Sequence, residues 1–157
     1  MAATDRGLVS SSFASPAQVR GRLAQRAVTT ATSPPWLAQA RTELDNYFGG
    51  TLETFTVPLD LSLTSEFDQL ILSALTHLDY GTTTTYGRLT AELGLPREDV
   101  RKVGAALARN PLPVLIPCHR VVGADHSLTG YAGGLAAKRW LLDLESDQAQ
   151  LALDVTG

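Results

Sequence analysis

Residues 85–122 have the sequence TYGRLTAELGLPREDVRKVGAALARNPLPVLIPCHRVV, and this stretch predicts the local fold. A short helix is predicted over 86–93 and closed by Gly94, and Pro96 suits the start of a second helix over 97–109. Two short helices joined by a glycine-containing turn favour a helix-turn-helix, although plain helical bundles contain the same pattern. The buried face of the second helix is expected to be Val100, Val103, Gly104 and Leu107.

The end of the same stretch carries the candidate chemistry. Three prolines bracket residues 114–116 and predict a rigid extended segment that leads into Cys118. A thiol is a nucleophile only as the thiolate, and a neighbouring base or cation makes that form accessible. His119 and Arg120 directly follow the cysteine. The alternative is a buried cysteine that acts as a small hydrophobic residue, for which a polar neighbourhood is a poor setting.

The flanking regions predict further helices and one strand. Upstream, a helix over 37–48 is stopped by two glycines, and alternation over 55–61 predicts a strand that Pro58 places at a sheet edge. Ser65 is the expected N-cap of a helix. The apolar face of that helix is expected to be Phe67, Leu70, Ile71, Ala74, Leu75 and Leu78. A final helix from about Leu135 is expected to bury Ala137, Trp140, Leu141 and Leu144, with Glu145 next to its end.

Composition limits the class of protein. The 157 residues are 44% hydrophobic and 18% charged, which excludes an intrinsically disordered chain. One cysteine excludes internal disulfides and multi-cysteine zinc sites and fits a reducing compartment. No stretch approaches the ~18 apolar residues that a membrane-spanning helix needs.

Charge is uneven along the chain. Residues 1–33 sum to +3 and have the composition of a transit peptide, but we expect this segment to belong to the fold. Residues 34–80 sum to −6 and residues 81–145 to +2, within a total of −3. A weakly basic segment allows contact with a nucleic acid through one face without requiring it.

The sequence Pro117-Cys118-His119-Arg120-Val121 resembles the active-site signature of the O6-alkylguanine-DNA alkyltransferases, a family of direct-reversal DNA repair proteins. The resemblance extends in order and spacing from about residue 65 to 145. Its other motifs are Thr85-Tyr86-Gly87, Arg101, Asn110-Pro111, Tyr131-Ala132-Gly133-Gly134 and Trp140-Leu141-Leu142.

The resemblance implies an α+β protein of two domains. Residues 1–62 would form a divergent and shortened sheet-and-helix domain, and residues 63–157 an α-rich domain with the helix-turn-helix and the alkyl-acceptor cysteine. The implied activity is irreversible transfer of an alkyl group from O6-alkylguanine, and less readily O4-alkylthymine, in double-stranded DNA. No cofactor or metal is implied, and we expect a cytoplasmic, nucleoid-associated monomer that binds DNA through the minor groove.

The family's catalytic roles transfer to matching positions. The resemblance makes Cys118 the acceptor, His119 the base acting through a bridging water, and Glu145 the residue that orients the histidine. Asn110 would support this network, and Tyr86 would donate a proton towards guanine N3. Without the resemblance, Asn110 would be interpreted as a helix C-cap and Glu145 as a surface acid at a helix end.

The remaining predicted site residues bind DNA or line the guanine pocket. Arg101 would fill the gap left by the extruded base, with a solvated helix charge as the alternative. The predicted DNA-binding set is Arg101, Thr85, Tyr86, Val100, Gly104 and Arg109. The predicted substrate pocket consists of Pro117, Val121, Tyr131, Ala132 and Gly133, with the Val121 carbonyl and the Ala132 N–H facing the base.

Several positions depart from the family pattern. Glu98 and Asp99 replace small neutral residues before Arg101, and two carboxylates near phosphates are expected to weaken DNA binding. Asp68 follows Phe67 where the family has glutamine, Leu72 replaces a tryptophan and Asp79 a proline. Two other functions stay open: a lesion-binding alkyltransferase-like protein with an idle thiol that recruits other repair proteins, and a cysteine hydrolase.

Overall fold

The structure, a computed structural model, describes residues 1–12 and 35–156, with side chains described as far as Asp147. The chain divides into two units, Met1–Ser65 and Glu66–Gly157. The described helices and two small sheets confirm the expected α+β class. The expectation that residues 1–33 belong to the fold falls mostly on 13–34, which lie outside the described residues.

The first unit contains a small sheet. Strand β1 (Ala2–Ala3) pairs antiparallel with β2 (Leu8–Ser10). The predicted strand over 55–61 is wrong apart from an isolated parallel bridge between Leu8 and Leu59. The physical reason is Glu43, whose buried carboxylate accepts the backbone N–H groups of Thr56 and Val57 at 2.9 and 3.1 Å. Those donors are therefore not used in a sheet.

Helix α1 (Pro35–Phe48) forms where the sequence predicts a helix and contributes Ala40 and Tyr47 to the core of the first unit. Proline suits the first helical turn because its missing N–H would have no helical partner there. Tyr47 is completely buried, and its ring centroid lies 5.2 Å from that of Phe55 and 5.4 Å from that of Phe48.

The second unit contains the predicted helix-turn-helix. Helix α2 (Glu66–Leu75) and helix α3 (Tyr86–Glu92) both pack against α4 (Val100–Ala108), which follows a 3-10 turn at Arg97–Asp99. Gly94 ends α3 with a φ of 66°, a left-handed conformation that glycine adopts without steric cost. Thr85 caps α3 by accepting the Arg88 N–H at 3.2 Å.

The predicted buried faces of α2 and α4 need correction. In α2 the buried residues are Asp68, Ile71, Leu72 and Leu75, whereas Leu70 is 47% exposed and Leu78 follows the helix. The predicted face is rotated relative to the buried one because it was assigned from apolar residues alone, whereas Asp68 occupies a buried position. In α4 the buried residues are Val103, Ala106 and Leu107, whereas Val100 and Gly104 are half-buried.

A second small sheet and the last helix position the candidate site. Strand β3 (Thr84–Thr85) pairs in parallel with β4 (Val121–Val122), which brings the start of α3 beside the segment after Cys118. Helix α5 (Leu135–Thr156) continues well past Glu145. Its buried stripe is Lys138, Leu141 and Glu145, so the prediction that Trp140 is buried is wrong: it is 52% exposed.

Neither a transmembrane helix nor a metal cluster is found in the described ranges. Among residues 1–12 and 35–156, no helix is both long and apolar enough to cross a membrane. The same residues contain no group of three or more histidine, cysteine, aspartate or glutamate side chains that could hold a metal ion.

The corrected face of α2 generates a test with two leucines of one helix. Leu72→Ala should lower the free energy of unfolding by about 2–5 kcal/mol, because it opens a cavity in the core. Leu70→Ala should change it by no more than about 0.5 kcal/mol, because Leu70 is exposed. Urea unfolding followed by circular dichroism measures both, and equal losses would contradict the assigned face.

Candidate active site

Cys118 begins a 3-10 turn (Cys118–Arg120) and is 5% exposed. The preceding segment does not run extended as predicted. It folds back on itself, with the Ile116 N–H donating to the Leu112 carbonyl at 2.8 Å. Val114 adopts a φ of 76°, which is strained for a β-branched residue by about 1–3 kcal/mol. The turn therefore has to be held in place by its surroundings.

Asn110 holds that turn together. Its Oδ1 accepts the Leu112 N–H at 2.9 Å, and its Nδ2 donates to the Ile116 carbonyl at 3.0 Å and to Sγ of Cys118 at 3.2 Å. The alternative of a simple helix C-cap is wrong, because Arg109 occupies that position. Asn110 thus connects the end of α4 directly to the thiol.

Glu145 anchors the residues that follow the cysteine. Its Oε1 lies 2.8 Å from Nε2 of His119, and both of its oxygens accept N–H groups of the Arg120 guanidinium at 2.9 Å. Its Oε2 also accepts the Gly81 N–H at 3.2 Å. All three side chains are buried. The alternative of a surface acid is therefore wrong for Glu145.

Burial and these contacts together set the charges of His119 and Glu145. Burial alone would raise the pKa of Glu145, but hydrogen bonds from His119 and Arg120 lower it to about 2. Burial lowers the pKa of His119 despite the nearby carboxylate, so the imidazole is neutral at pH 7. An ionised carboxylate only accepts, so Nε2 carries the proton and Nδ1 keeps its lone pair. Among the described residues Nδ1 has no hydrogen-bond partner.

The thiol is in its protonated form at rest. Burial raises the pKa of Cys118, while the hydrogen bond from Asn110 and the positive charge of Lys138 partly offset that rise. Burial also raises the pKa of Tyr131, with smaller contributions from Cys118 and Glu145. A buried thiol of this kind needs a base before it can act as a nucleophile.

Lys138 is a site residue that the sequence prediction missed. Its ammonium is completely buried and donates to the carbonyls of Val121 and Thr129 at 2.6 and 2.8 Å. It therefore connects α5 to β4 and to the loop before Tyr131. The spacing of Lys138, Leu141 and Glu145 on one helical stripe is the signal that could have found it.

The predicted pocket residues surround this network to different degrees. Pro117 and Val121 are buried next to Cys118, and the Val121 carbonyl already accepts a hydrogen bond from Lys138. The ring of Tyr131 lies edge-on to that of His119 with centroids 6.3 Å apart. Ala132 is exposed and Gly133 half-buried. Their contact with a flipped base stays a prediction.

A groove of about 920 Å³ lies along the helix-turn-helix. Tyr86, Val100, Arg101 and Glu98 line it. Gly104 lies against Tyr86, since a Cβ added there would come within 3.7 Å of the tyrosine ring. The Tyr86 hydroxyl accepts a hydrogen bond from Thr129 at 3.3 Å. The groove is thus lined by three of the predicted DNA-binding residues, Tyr86, Val100 and Arg101, and Gly104 lies next to it.

Other predicted DNA-binding residues have partners within the second unit. The hydroxyl of Thr85 caps α3, and Arg109 forms an ion pair with Asp68 at 2.6 Å. Asp99 pairs with Lys102, also at 2.6 Å. The carboxylate expected to repel phosphates is thus partly neutralised, whereas no such pair is seen for Glu98 among the described residues. DNA contacts of Thr85 and Arg109 stay predictions.

Two features of the second unit define the class of the protein. A helix-turn-helix and a buried thiol with an adjacent histidine–carboxylate pair occur in one fold, which is the arrangement of a DNA-binding protein with a cysteine nucleophile. The family model for the 6-O-methylguanine DNA methyltransferase DNA-binding domain matches residues 66–147. The model for the ribonuclease-like domain of the same family matches residues 1–61. The chain belongs to the 6-O-methylguanine DNA methyltransferase family.

Individual relatives agree with the family match. A methylated-DNA–protein-cysteine methyltransferase from Mycobacterium leprae is 45% identical over 74% of this chain and 69% of its own length. The one from Haemophilus influenzae is 45% identical over 71% of this chain, and the match spans 62% of that relative. The crystal structure of Mycobacterium tuberculosis OGT in complex with DNA matches with a TM-score of 0.69 and 41% identity, covering 74% of this chain and 70% of that chain.

The Glu145 network generates a stability prediction. Glu145→Gln should lower the free energy of unfolding by about 3–5 kcal/mol, because it leaves buried His119 and Arg120 without their carboxylate. The pKa of Glu145 lies near 2 in the folded protein and near its ordinary value of 4.5 when unfolded. Its contribution is therefore present above pH 4.5 and is lost as pH falls towards 2.

Urea unfolding at a series of pH values tests this prediction. Between pH 4.5 and 2 the wild-type protein should lose stability more steeply than Glu145→Gln. Glu92→Gln is the control, since it removes an exposed carboxylate from an ion pair with Arg88. Parallel pH curves for wild type and Glu145→Gln would contradict the depressed pKa.

Proposed function

We propose that the chain performs direct-reversal DNA repair, moving an alkyl group from O6 of guanine in duplex DNA to Sγ of Cys118. The observation that carries this proposal is the buried thiol next to the His119–Glu145 pair, in the unit that matches the family's DNA-binding domain. O4-alkylthymine presents the same alkyl–oxygen bond and is proposed as a poorer substrate. The protein would act as a methylated-DNA–protein-cysteine S-methyltransferase.

The first step is removal of the thiol proton. Neutral His119 has its lone pair at Nδ1 because Nε2–H is committed to Glu145. A water molecule would relay the proton from Cys118 to Nδ1, and the carboxylate of Glu145 stabilises the imidazolium that forms. This division between nucleophile, base and orienting carboxylate is the logic of the catalytic triads.

The second step is an in-line displacement at the alkyl carbon. The thiolate forms the new carbon–sulfur bond while the bond from carbon to O6 breaks, and its electron pair returns to guanine. The Tyr86 hydroxyl would donate a proton to N3 of the leaving base. Lys138 and Asn110 stabilise the thiolate before attack, through charge and a hydrogen bond respectively. The thioether product is not hydrolysed, so each molecule reacts once.

The target atom is inaccessible inside a base stack, so the nucleotide has to rotate out of the duplex. The groove along the helix-turn-helix would meet the minor groove, with Val100 and Gly104 close to the DNA. Arg101 is exposed at the edge of this groove and would occupy the gap left by the extruded base. We propose that the protein acts as a monomer in the cytoplasm, at the nucleoid.

A lesion-binding protein with an idle thiol is not favoured. The curated relatives are named as methyltransferases, and here the thiol, the imidazole and the carboxylate are all present. The hydrolase alternative gains no support from these relatives.

Mass spectrometry of the intact protein tests the proposed function. After incubation with a duplex that carries one O6-methylguanine, the wild-type mass should increase by one methyl group in place of the thiol hydrogen. Fragmentation should locate that group on Cys118, and Cys118→Ala should gain no mass while still binding the duplex. Transfer that persists in Cys118→Ala would overturn the assignment of the acceptor.

The acidic 3-10 turn before α4, the second helix of the helix-turn-helix, generates a binding prediction. Asp99→Ala should tighten binding to alkylated duplex, most visibly at low salt, because it removes a carboxylate and frees the Lys102 ammonium. Asp147→Ala makes the same charge change on α5 and serves as the control. Fluorescence anisotropy titrations at several salt concentrations measure both, and unchanged or weaker binding by Asp99→Ala would contradict the prediction.

A further inference from the structure

An ion pair between the buried carboxylate of Asp68 and the partly exposed guanidinium of Arg109 connects α2 to the end of α4. Asp68 is 6% exposed, and its two oxygens accept Nε–H and Nη2–H of Arg109 at 2.9 and 2.6 Å. Two parallel hydrogen bonds fix the orientation of a guanidinium as well as its distance. The residues are 41 positions apart, so this contact is made by the tertiary fold.

Arg109 stands directly before the residue that contacts the thiol. It is the C-cap of α4, and its backbone N–H donates to the carbonyls of Ala105 and Ala106 at 3.2 and 3.1 Å. The next residue, Asn110, makes the contacts to Ile116 and Cys118. Hydrogen bonds therefore hold both the backbone and the guanidinium of Arg109 at the point where the chain enters the active-site turn.

We propose that Asp68 and Arg109 are positioning residues for alkyl transfer, which keep the Asn110 amide within hydrogen-bond distance of Sγ of Cys118. This inference rests on the proposed function. It also changes the role assigned to Arg109, from a DNA contact to a support of the active site.

The proposed role follows from the strain and the geometry of the turn. Val114 holds a left-handed backbone conformation inside the segment that Asn110 closes, so the turn relaxes if its entry point is released. The bond from Asn110 Nδ2 to sulfur is 3.2 Å long, and a displacement of the helix end would lengthen and weaken it. Because that bond favours the thiolate, its loss would make the thiol harder to ionise.

Other titratable groups face the thiol and are unchanged by substitutions at this ion pair. Lys138 approaches from α5, Tyr131 from the preceding loop, and His119 follows the cysteine in the chain. Glu145 lies behind His119. A shift in the ionisation of Cys118 that results from changing Asp68 would therefore report the position of Asn110.

The test combines DNA-dependent and DNA-independent measurements. The variants are Asp68→Asn, which removes the charge at constant size, and Arg109→Lys, which keeps the charge and loses the two-bond geometry. Glu92→Gln, which breaks the exposed Arg88–Glu92 pair, is the control. For each protein we would measure two rates as a function of pH: single-turnover transfer at saturating duplex, and alkylation of Cys118 by iodoacetamide without DNA. The Kd for the duplex and the thermal midpoint of unfolding are measured alongside.

The expected result is a slower reaction with an alkaline shift. In Asp68→Asn the transfer rate at neutral pH should fall about tenfold, and both pH profiles should move to higher pH by about one unit, since one unit changes the thiolate fraction tenfold. Arg109→Lys should show a smaller shift, and Glu92→Gln should match the wild-type protein. The Kd should change by less than about threefold, as expected for a residue that does not contact phosphates.

Three outcomes would overturn the inference. The first is a wild-type pH profile with only a lower thermal midpoint, which indicates a purely structural ion pair. The second is a change confined to Kd, which indicates that Arg109 contacts DNA. If Asp68→Asn does not fold, Arg109→Lys provides the test. The third outcome is then an unshifted pH profile in Arg109→Lys. Failure of the wild-type protein to transfer an alkyl group would instead overturn the proposed function, and the iodoacetamide profiles would still test the positioning.

Discussion

The buried carboxylate of Glu145 is the interaction on which the second unit depends. It accepts hydrogen bonds from His119, Arg120 and the Gly81 backbone, and so joins α5 to the active-site turn and to the chain before β3. A buried charge is tolerated only when its hydrogen bonds are complete, so these groups have to be placed together or not at all. Burial keeps the His119 imidazole neutral, and its hydrogen bond to the carboxylate fixes which ring nitrogen carries the proton.

The site separates the tasks of storing a nucleophile and activating it. Burial keeps Cys118 protonated, while Asn110 and Lys138 offset part of the penalty for ionisation. His119 is also kept neutral, so at rest both the thiol and its base are uncharged. The groove along the helix-turn-helix is lined by half of the predicted DNA-binding residues, and none of these belongs to the buried hydrogen-bond network of Glu145. Substitutions at Asp99 and at Glu145 therefore act on different properties, DNA binding and stability.

The sequence predicted the local elements well where one signal dominates. Helix α3 begins at Tyr86 and is closed by Gly94 as expected. The family resemblance selected Cys118, His119 and Glu145, which are all buried in the second unit, and their catalytic roles stay predictions. The errors arose where polar residues occupy buried positions. Asp68 and Lys138 are buried because each has a partner far away in sequence, and periodicity of apolar residues cannot reveal such partners. The predicted faces of α2 and α5 were rotated for this reason.

The turn before the cysteine was also mispredicted, because prolines alone indicate stiffness and do not indicate direction. Asn110 reverses the chain there, and the burial that results surrounds the sulfur almost completely. A reagent that works once has to survive until its target arrives. Oxidants and small electrophiles react with accessible thiolates, and Cys118 offers them neither access nor charge. The burial that lowers the reactivity of the resting thiol thus also determines how long the unreacted protein escapes inactivation.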